Sequence, residues 1–163
     1  MPMKLPTDLG DNQCVIVTVG LDCAKIVQVK IEILPYVLEN FILIEANGNT
    51  DWMVTESKCQ HGWGPFLYDL AMELAGHANL WLRSHSNSVS DDALKLWERY
   101  LSRNDVERKK LISQVSPYDP TEATKYMYRK LQMNLVSELK RMGKMENVIY
   151  RPQPQFGNDY AQF

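Results

Sequence analysis

The sequence predicts a mixed α/β (α+β) domain in which a mostly antiparallel sheet is flanked by helices. Three observations predict it. Four period-two apolar runs crowd the first 55 residues, a Gly62-Trp63-Gly64-Pro65 turn then feeds an amphipathic stretch, and a short apolar run at 79–83 follows directly. At 163 residues the chain fits one domain, 1–163, that can bury roughly 70 % of the surface its unfolded form exposes, so stability requires neither disulfide nor metal.

Residues 13–20 carry CVIVTV, and 24–34 alternate, with Val27, Val29, Ile31 and Ile33 on one side and Ile26, Gln28, Lys30 and Glu32 on the other. Leu21-Asp22-Cys23 joins the two as an antiparallel hairpin, and Pro35 ends the second strand. The run 40–46 is a third strand, and Asn47-Gly48 returns the chain as a fourth at 51–55, antiparallel to the third. Pro65 occupies a first helical turn, where a missing N–H costs nothing. Phe66, Leu67, Leu70, Ala71, Leu74 and Ala75 then recur at helical spacing until Gly76 and His77. The run 79–83 completes a strand, helix, strand unit, for which a parallel pair with a right-handed crossover is expected. Ser90 caps a second helix reaching Ser102, with Asp91 and Asp92 in its first turn and Ala93, Leu94, Trp97 and Leu101 facing inward. Asp119 or Thr121 opens a C-terminal helix, 119–143, with Tyr128, Leu131, Leu135, Val136 and Leu139 on one face and Gly143 closing it. Residues 151–163, with Pro152, Pro154 and Gly157, read as an extended tail.

Lys and Arg number 18 against 20 acidic residues, so net charge calls for neither nucleic acid nor an anionic membrane, and the longest apolar runs are too short to cross a bilayer. Cys14, Cys23 and Cys59 form an odd set without C-x-x-C spacing, which suits free thiols in a reducing, cytoplasmic compartment. Arg99, Arg103, Arg108, Lys109 and Lys110 are the one basic concentration. Interspersed Glu98, Asp105 and Glu107 favour an ion-paired helix end over a phosphate or acidic-protein contact. Tyr126, Met127, Met133, Met142 and Met145 lie beyond the apolar stripe of the C-terminal helix, and suit a protein partner or core filling equally.

A strand that enters a helix through glycines aims unpaired N–H groups and the positive end of the helix dipole at one point, a seat for a phosphate. Here the seat is Gln60, His61, Gly62, Trp63 and Gly64. No Lys-Ser/Thr pair follows, which favours a cofactor pyrophosphate over a nucleoside triphosphate with its metal. The same glycines also suit a plain strand-to-helix corner. Cys59 lies two residues from His61 without a third orienting group, which favours a loop thiol over a nucleophile. Cys59, His61, His77 and His85 lack zinc spacing, so no metal is expected, and Ser57 and Ser90 match no nucleophile elbow. His85 falls in the loop after the fifth strand, near the mouth of this seat.

The order of four antiparallel strands, glycine turn, helix, strand and helix resembles the GCN5-related N-acetyltransferase (GNAT) superfamily. In that family the fourth and fifth strands splay apart and hold pantetheine between them, and a Gln/Arg-x-x-Gly-x-Gly/Ala turn takes the pyrophosphate. The matching segment is Cys59-Gln60-His61-Gly62-Trp63-Gly64, with both glycines in place and Cys59 where the family has Gln or Arg. Trp52, Val54, Ser57, Gly62 to Pro65, Leu67-Tyr68-Asp69, Ala71, Val89-Ser90, Ala93, Trp97, Tyr100 and Arg103 to Val106 are similar to small acetyltransferases of tailed bacteriophages. The resemblance implies an acetyl-CoA-dependent N-acyltransferase in a host cytoplasm, acting on a small-molecule or protein amine, with Trp52, Met53 and Val54 along the pantetheine. The family's thiolate-protonating Tyr falls on Trp97, so Tyr100, three residues on, is the candidate acid; Glu45 and Glu56, at strand ends, are candidate bases. The alternative is a protein that keeps the fold without the chemistry, as a binding or host-takeover factor.

Overall fold

The first hairpin turns on two left-handed residues. β1 (Cys14–Asp22) and β2 (Lys25–Leu34) pair antiparallel, and Cys23 and Ala24 between them have φ of 50° and 68°. A double left-handed turn matches the twist of the strands it joins, which moves the reversal slightly beyond the expected Leu21–Cys23. The structure is a computed structural model describing residues 3–47, 49–60, 62–85, 89–111, 122–132 and 134–151. Val29, Ile31 and Ile33 of β2 are buried, as the alternation requires, while Val27 near the turn is exposed.

β3 (Phe41–Asn47) and β4 (Asp51–Lys58) pair antiparallel, with β4 running past the predicted end at Thr55. Gly48 of the expected Asn-Gly turn lies outside the described residues. Ile44 faces Val54 but Leu43 faces Glu56, so Thr55 is the extra residue of a β-bulge, and its Oγ1 donates to the Leu43 carbonyl at 3.2 Å. After α1 (Trp63–His77), β5 (Trp81–Arg83) pairs parallel with β4, as expected, from Asp51↔Trp81 to Met53↔Arg83. Beyond that point β4 continues while β5 has ended. The bulge bends β4 at this place, and a gap opens between the strands. Ser90 Oγ accepts the Ala93 N–H at 3.2 Å and starts α2 (Asp91–Tyr100), as its sequence position predicts.

The C-terminal third departs from expectation. In place of one helix over 119–143, the described residues form a 3₁₀ turn (Glu122–Lys125), β7 (Tyr126–Lys130) and a short α3 (Asn134–Arg141). β6 (Val106–Lys110) supplies β7 with a full antiparallel ladder, from Val106↔Lys130 to Lys110↔Tyr126, and this outweighs the helical spacing of the stripe. Asp119 and Thr121, the predicted caps, lie outside the described residues. Gly143 closes α3 at φ 66°, and β8 (Met145–Tyr150) follows, parallel to β1.

The result is one mixed, mostly antiparallel eight-stranded sheet in the order β6-β7-β5-β4-β3-β2-β1-β8. α1 crosses β2, β3, β4, β5 and β7, and a single core forms beneath it from Val15, Val17, Val29, Ile31, Ile42, Ile44, Phe66, Leu70 and their neighbours. None of the described helices is long and apolar enough to cross a membrane.

Candidate functional site

The gap left by β5 is a groove floored by β4 and walled by the N-terminal turns of α1 and α2. Two connected compartments of about 400 and about 220 Å³ share Ser57, Tyr68, Ser90 and Ala93. Gly62 and Gly64 line the outer compartment, together with the cations Lys58, Lys95 and Arg99 and one carboxylate, Asp92. Val54, Glu56, His85 and Trp97 line the inner one.

At the outer end Gly62 adopts φ 87°, a left-handed turn that delivers the chain into α1. Two of the expected amides are already engaged. Gln60 donates its N–H to Asn40 Oδ1 at 2.7 Å, and Trp63 donates to the Gln60 carbonyl at 3.1 Å. Of the expected main-chain seat, only the Gly62 and Gly64 amides are then left without an acceptor among the described residues, and side chains add positive charge beside them. His61 lies outside the described residues. Lys58 pairs with Glu39 at 3.2 Å, and Lys95 and Arg99 on α2 face solvent at the rim.

At the junction of the compartments the Tyr68 hydroxyl lies 2.9 Å from Ser57 Oγ. Tyr68 is buried in the α1 interface, and burial pushes its pKa up to about 12, so the hydroxyl keeps its proton at neutral pH. Sequence reasoning gave this residue no catalytic role, since it falls outside the apolar stripe expected for the helix and entered only through the family resemblance. The detectable cue was its place one turn after the Gly-Trp-Gly-Pro corner, on the face that must look back at β4.

The remaining expected site residues divide. Glu56 and His85 both line the inner compartment. Glu45 is exposed on β3, opposite Gln28 and Met53, and does not line the groove. Val54 lines the inner compartment. Trp52 is buried in the core, its Nε1 without an acceptor among the described residues, and Met53 points to the opposite face of β4. Tyr100 is removed from the groove: it is buried, donates to Asp69 Oδ1 at 3.3 Å, and its pKa is driven well above the ordinary tyrosine value by burial and by Asp69. Trp97 stands nearer the groove and packs edge-on against Tyr68 with centroids 5.5 Å apart. Cys59 donates to the Phe41 carbonyl at 3.6 Å, and burial pushes its pKa up to about 12, the reverse of what a nucleophilic thiol needs.

The basic run also divides. Arg99 is at the groove rim, while Arg103 forks between Asp69 (2.7 and 3.0 Å) and Asp105 (2.9 and 2.6 Å) and serves the fold. The described residues contain no group of three His, Cys, Asp or Glu placed to hold a metal ion. Comparison with family models, with curated proteins and with solved structures returns no match. Chemically, the groove combines helix-end amides, three cations and one carboxylate at one end, a protonated phenol at its waist, and a carboxylate and an imidazole among the residues lining the other end.

Proposed function

We propose that the protein is an acyl-CoA-dependent N-acyltransferase of the GNAT type. One observation carries the reading: the gap between β4 and β5 opens beside a glycine-started helix, with the Tyr68 hydroxyl at its waist. Gly62, Gly64, Lys95 and Arg99 would hold the cofactor's phosphates, and Val54 would line its pantetheine arm. Bound there, acyl-CoA would supply the acyl group through its thioester, with the coenzyme A thiolate as leaving group. Glu56, which lines the inner compartment as His85 does, would take the proton of an attacking amine, and Tyr68 would return one to the departing thiolate. Tyr68 replaces Tyr100 as the acid, and Glu45 has no part in this reading. The acceptor is a small-molecule or protein amine.

A second reading, a protein that keeps the fold and binds without chemistry, draws on the two engaged amides at Gln60 and Trp63. Thermal denaturation with acetyl-CoA separates them. At about 100 times its dissociation constant the cofactor adds about 2.7 kcal/mol, a rise of several degrees. Gly64→Glu sets a carboxylate into the outer compartment and should abolish that rise while leaving the unliganded melting temperature near its original value. No rise at millimolar acetyl-CoA favours the second reading.

A further inference from the structure

We propose that the sheet carries a second anion site, for a small phosphate or phosphoester, on the face turned away from the groove. Along β5, Leu82 is buried toward the helices, so Trp81 and Arg83 on either side of it face outward. Along β7, Tyr128 packs against Trp97 and Tyr100, so Met127 and Arg129 face outward likewise. These side chains and the end of β6 enclose a cavity of about 540 Å³ that also takes in Lys109 and Lys110. Arg83, Arg129 and Lys109 thus share this face, while Lys110, opposite Tyr126, lines the cavity only from the end of β6, and this is where part of the basic run of the sequence ends up.

Little in the cavity neutralises them. Its one carboxylate, Asp51, is held by the β3–β4 connection through Asn47 Nδ2 at 3.2 Å and Thr50 Oγ1 at 2.8 Å. Glu107 reaches Arg129 Nη1 only at 3.9 Å. The Arg129 guanidinium lies 4.2 Å over the Trp81 ring, which fixes its plane. The Nε atoms of Arg83 and Arg129 are both buried, and neither has an acceptor among the described residues. A buried donor without an acceptor is costly, and two on adjacent strands beside Lys109 call for an acceptor that also carries charge. A tetrahedral oxyanion answers both demands, because its oxygens accept from guanidinium forks. The cavity has room for a phosphate and the group it esterifies, and its position on the far face keeps it independent of the acyltransferase reading.

The test is a titration of the full chain with inorganic pyrophosphate and with 5′-AMP, followed by the arginine Nε–Hε signals in ¹H–¹⁵N spectra. Saturable shifts of the Arg83 and Arg129 signals are expected with both probes, and absent with acetate at equal ionic strength. Tighter AMP binding supports the site with a contribution from the esterified group, and equal binding supports it with the phosphate alone recognised. Arg83→Gln should weaken binding about tenfold or more. Should that variant fold poorly, Lys109→Gln/Lys110→Gln, on exposed edge positions, should still weaken binding several-fold. Gly64→Glu, in the groove, should leave it unchanged. The proposal is overturned if neither signal saturates, if acetate reproduces the shifts, if the lysine pair is without effect, or if Gly64→Glu abolishes binding. A single-stranded oligonucleotide that binds more than tenfold tighter than AMP would also overturn it, by making the ligand a polymer.

Discussion

Tyr68 carries two separable loads, since its ring packs on Trp97 and its hydroxyl meets Ser57 in the groove. Tyr68→Phe keeps the ring and removes the proton. The expected outcome is a loss of about 10²-fold or more in turnover with acetyl-CoA affinity unchanged, read by steady-state kinetics beside calorimetric titration. Because its pKa stands at about 12, the wild-type rate should show no decline from Tyr68 ionisation until the pH nears that value. Asp105 gives a pH effect of a different kind. Its hydrogen bonds from Arg103 hold its carboxyl below the usual aspartate range, so the stability it contributes is complete above about pH 4 and fades as the pH falls through its lowered value. Asp105→Asn should flatten the fall of melting temperature on acidification. A fall as steep as that of the wild type would refute this. None of these roles could be read from residue type alone: Tyr68 and Tyr100 both lie on helices outside the apolar stripes expected there, and only the packing decides which hydroxyl meets the groove.

Among elements, α3 shows what local pattern leaves out. Its first turn is fixed by Glu73 of α1, whose carboxylate accepts the N–H groups of Leu135 at 2.9 Å and Val136 at 3.0 Å and pairs with Lys130 at 2.8 Å. Glu73 and Lys130 are both buried. Glu73→Ala should cost about 3–5 kcal/mol in chemical denaturation, because it leaves a buried ammonium with only the more distant Asp69, at 3.8 Å, and uncaps a helix. Glu73→Ala/Lys130→Met should recover part of that loss. Partners this distant in the chain explain the misplaced helix at 119–143. Tyr128, Leu131, Leu135 and Leu139 have helical spacing, yet Leu131 is exposed and Tyr128 belongs to a strand whose ladder comes from β6. β6 itself gave no cue, since Glu107, Arg108, Lys109 and Lys110 show no apolar period, and an edge strand tolerates such charges. By contrast β1 to β5, α1 and α2 were legible, because their burial alternates at the spacing their own residues prescribe. The groove was legible at its glycines and at Glu56. Its waist and its cations were not, since they depend on how α1 and α2 converge.

For the molecule as a whole, the sheet is closed at one side by β8, a strand the sequence reading did not anticipate. Lys144, at its start, donates from Nζ to the carbonyls of Gly10, Asp11 and Gln13 at 2.9, 2.7 and 3.0 Å, tying the N-terminal segment to the C-terminal edge. Truncation after Gly143 would unpair β1 from Val15 to Gly20 and release that tie. A lowered melting temperature and concentration-dependent association through the newly exposed β1 edge are expected, measurable by light scattering. At the other side of the sheet the basic cavity faces solvent, so the two anion sites proposed above occupy opposite surfaces of one platform. Between them stands Thr55, the single supernumerary residue of β4. Were it paired opposite Leu43 instead of bulged out, the rest of the strand would slide by one position, setting Glu56 opposite Ile42 beneath the helices and turning Ser57 outward opposite Phe41. A negative charge would then be sealed in oil and the phenol of Tyr68 would lose its companion, so this one insertion fixes the parity on which the groove's chemistry depends.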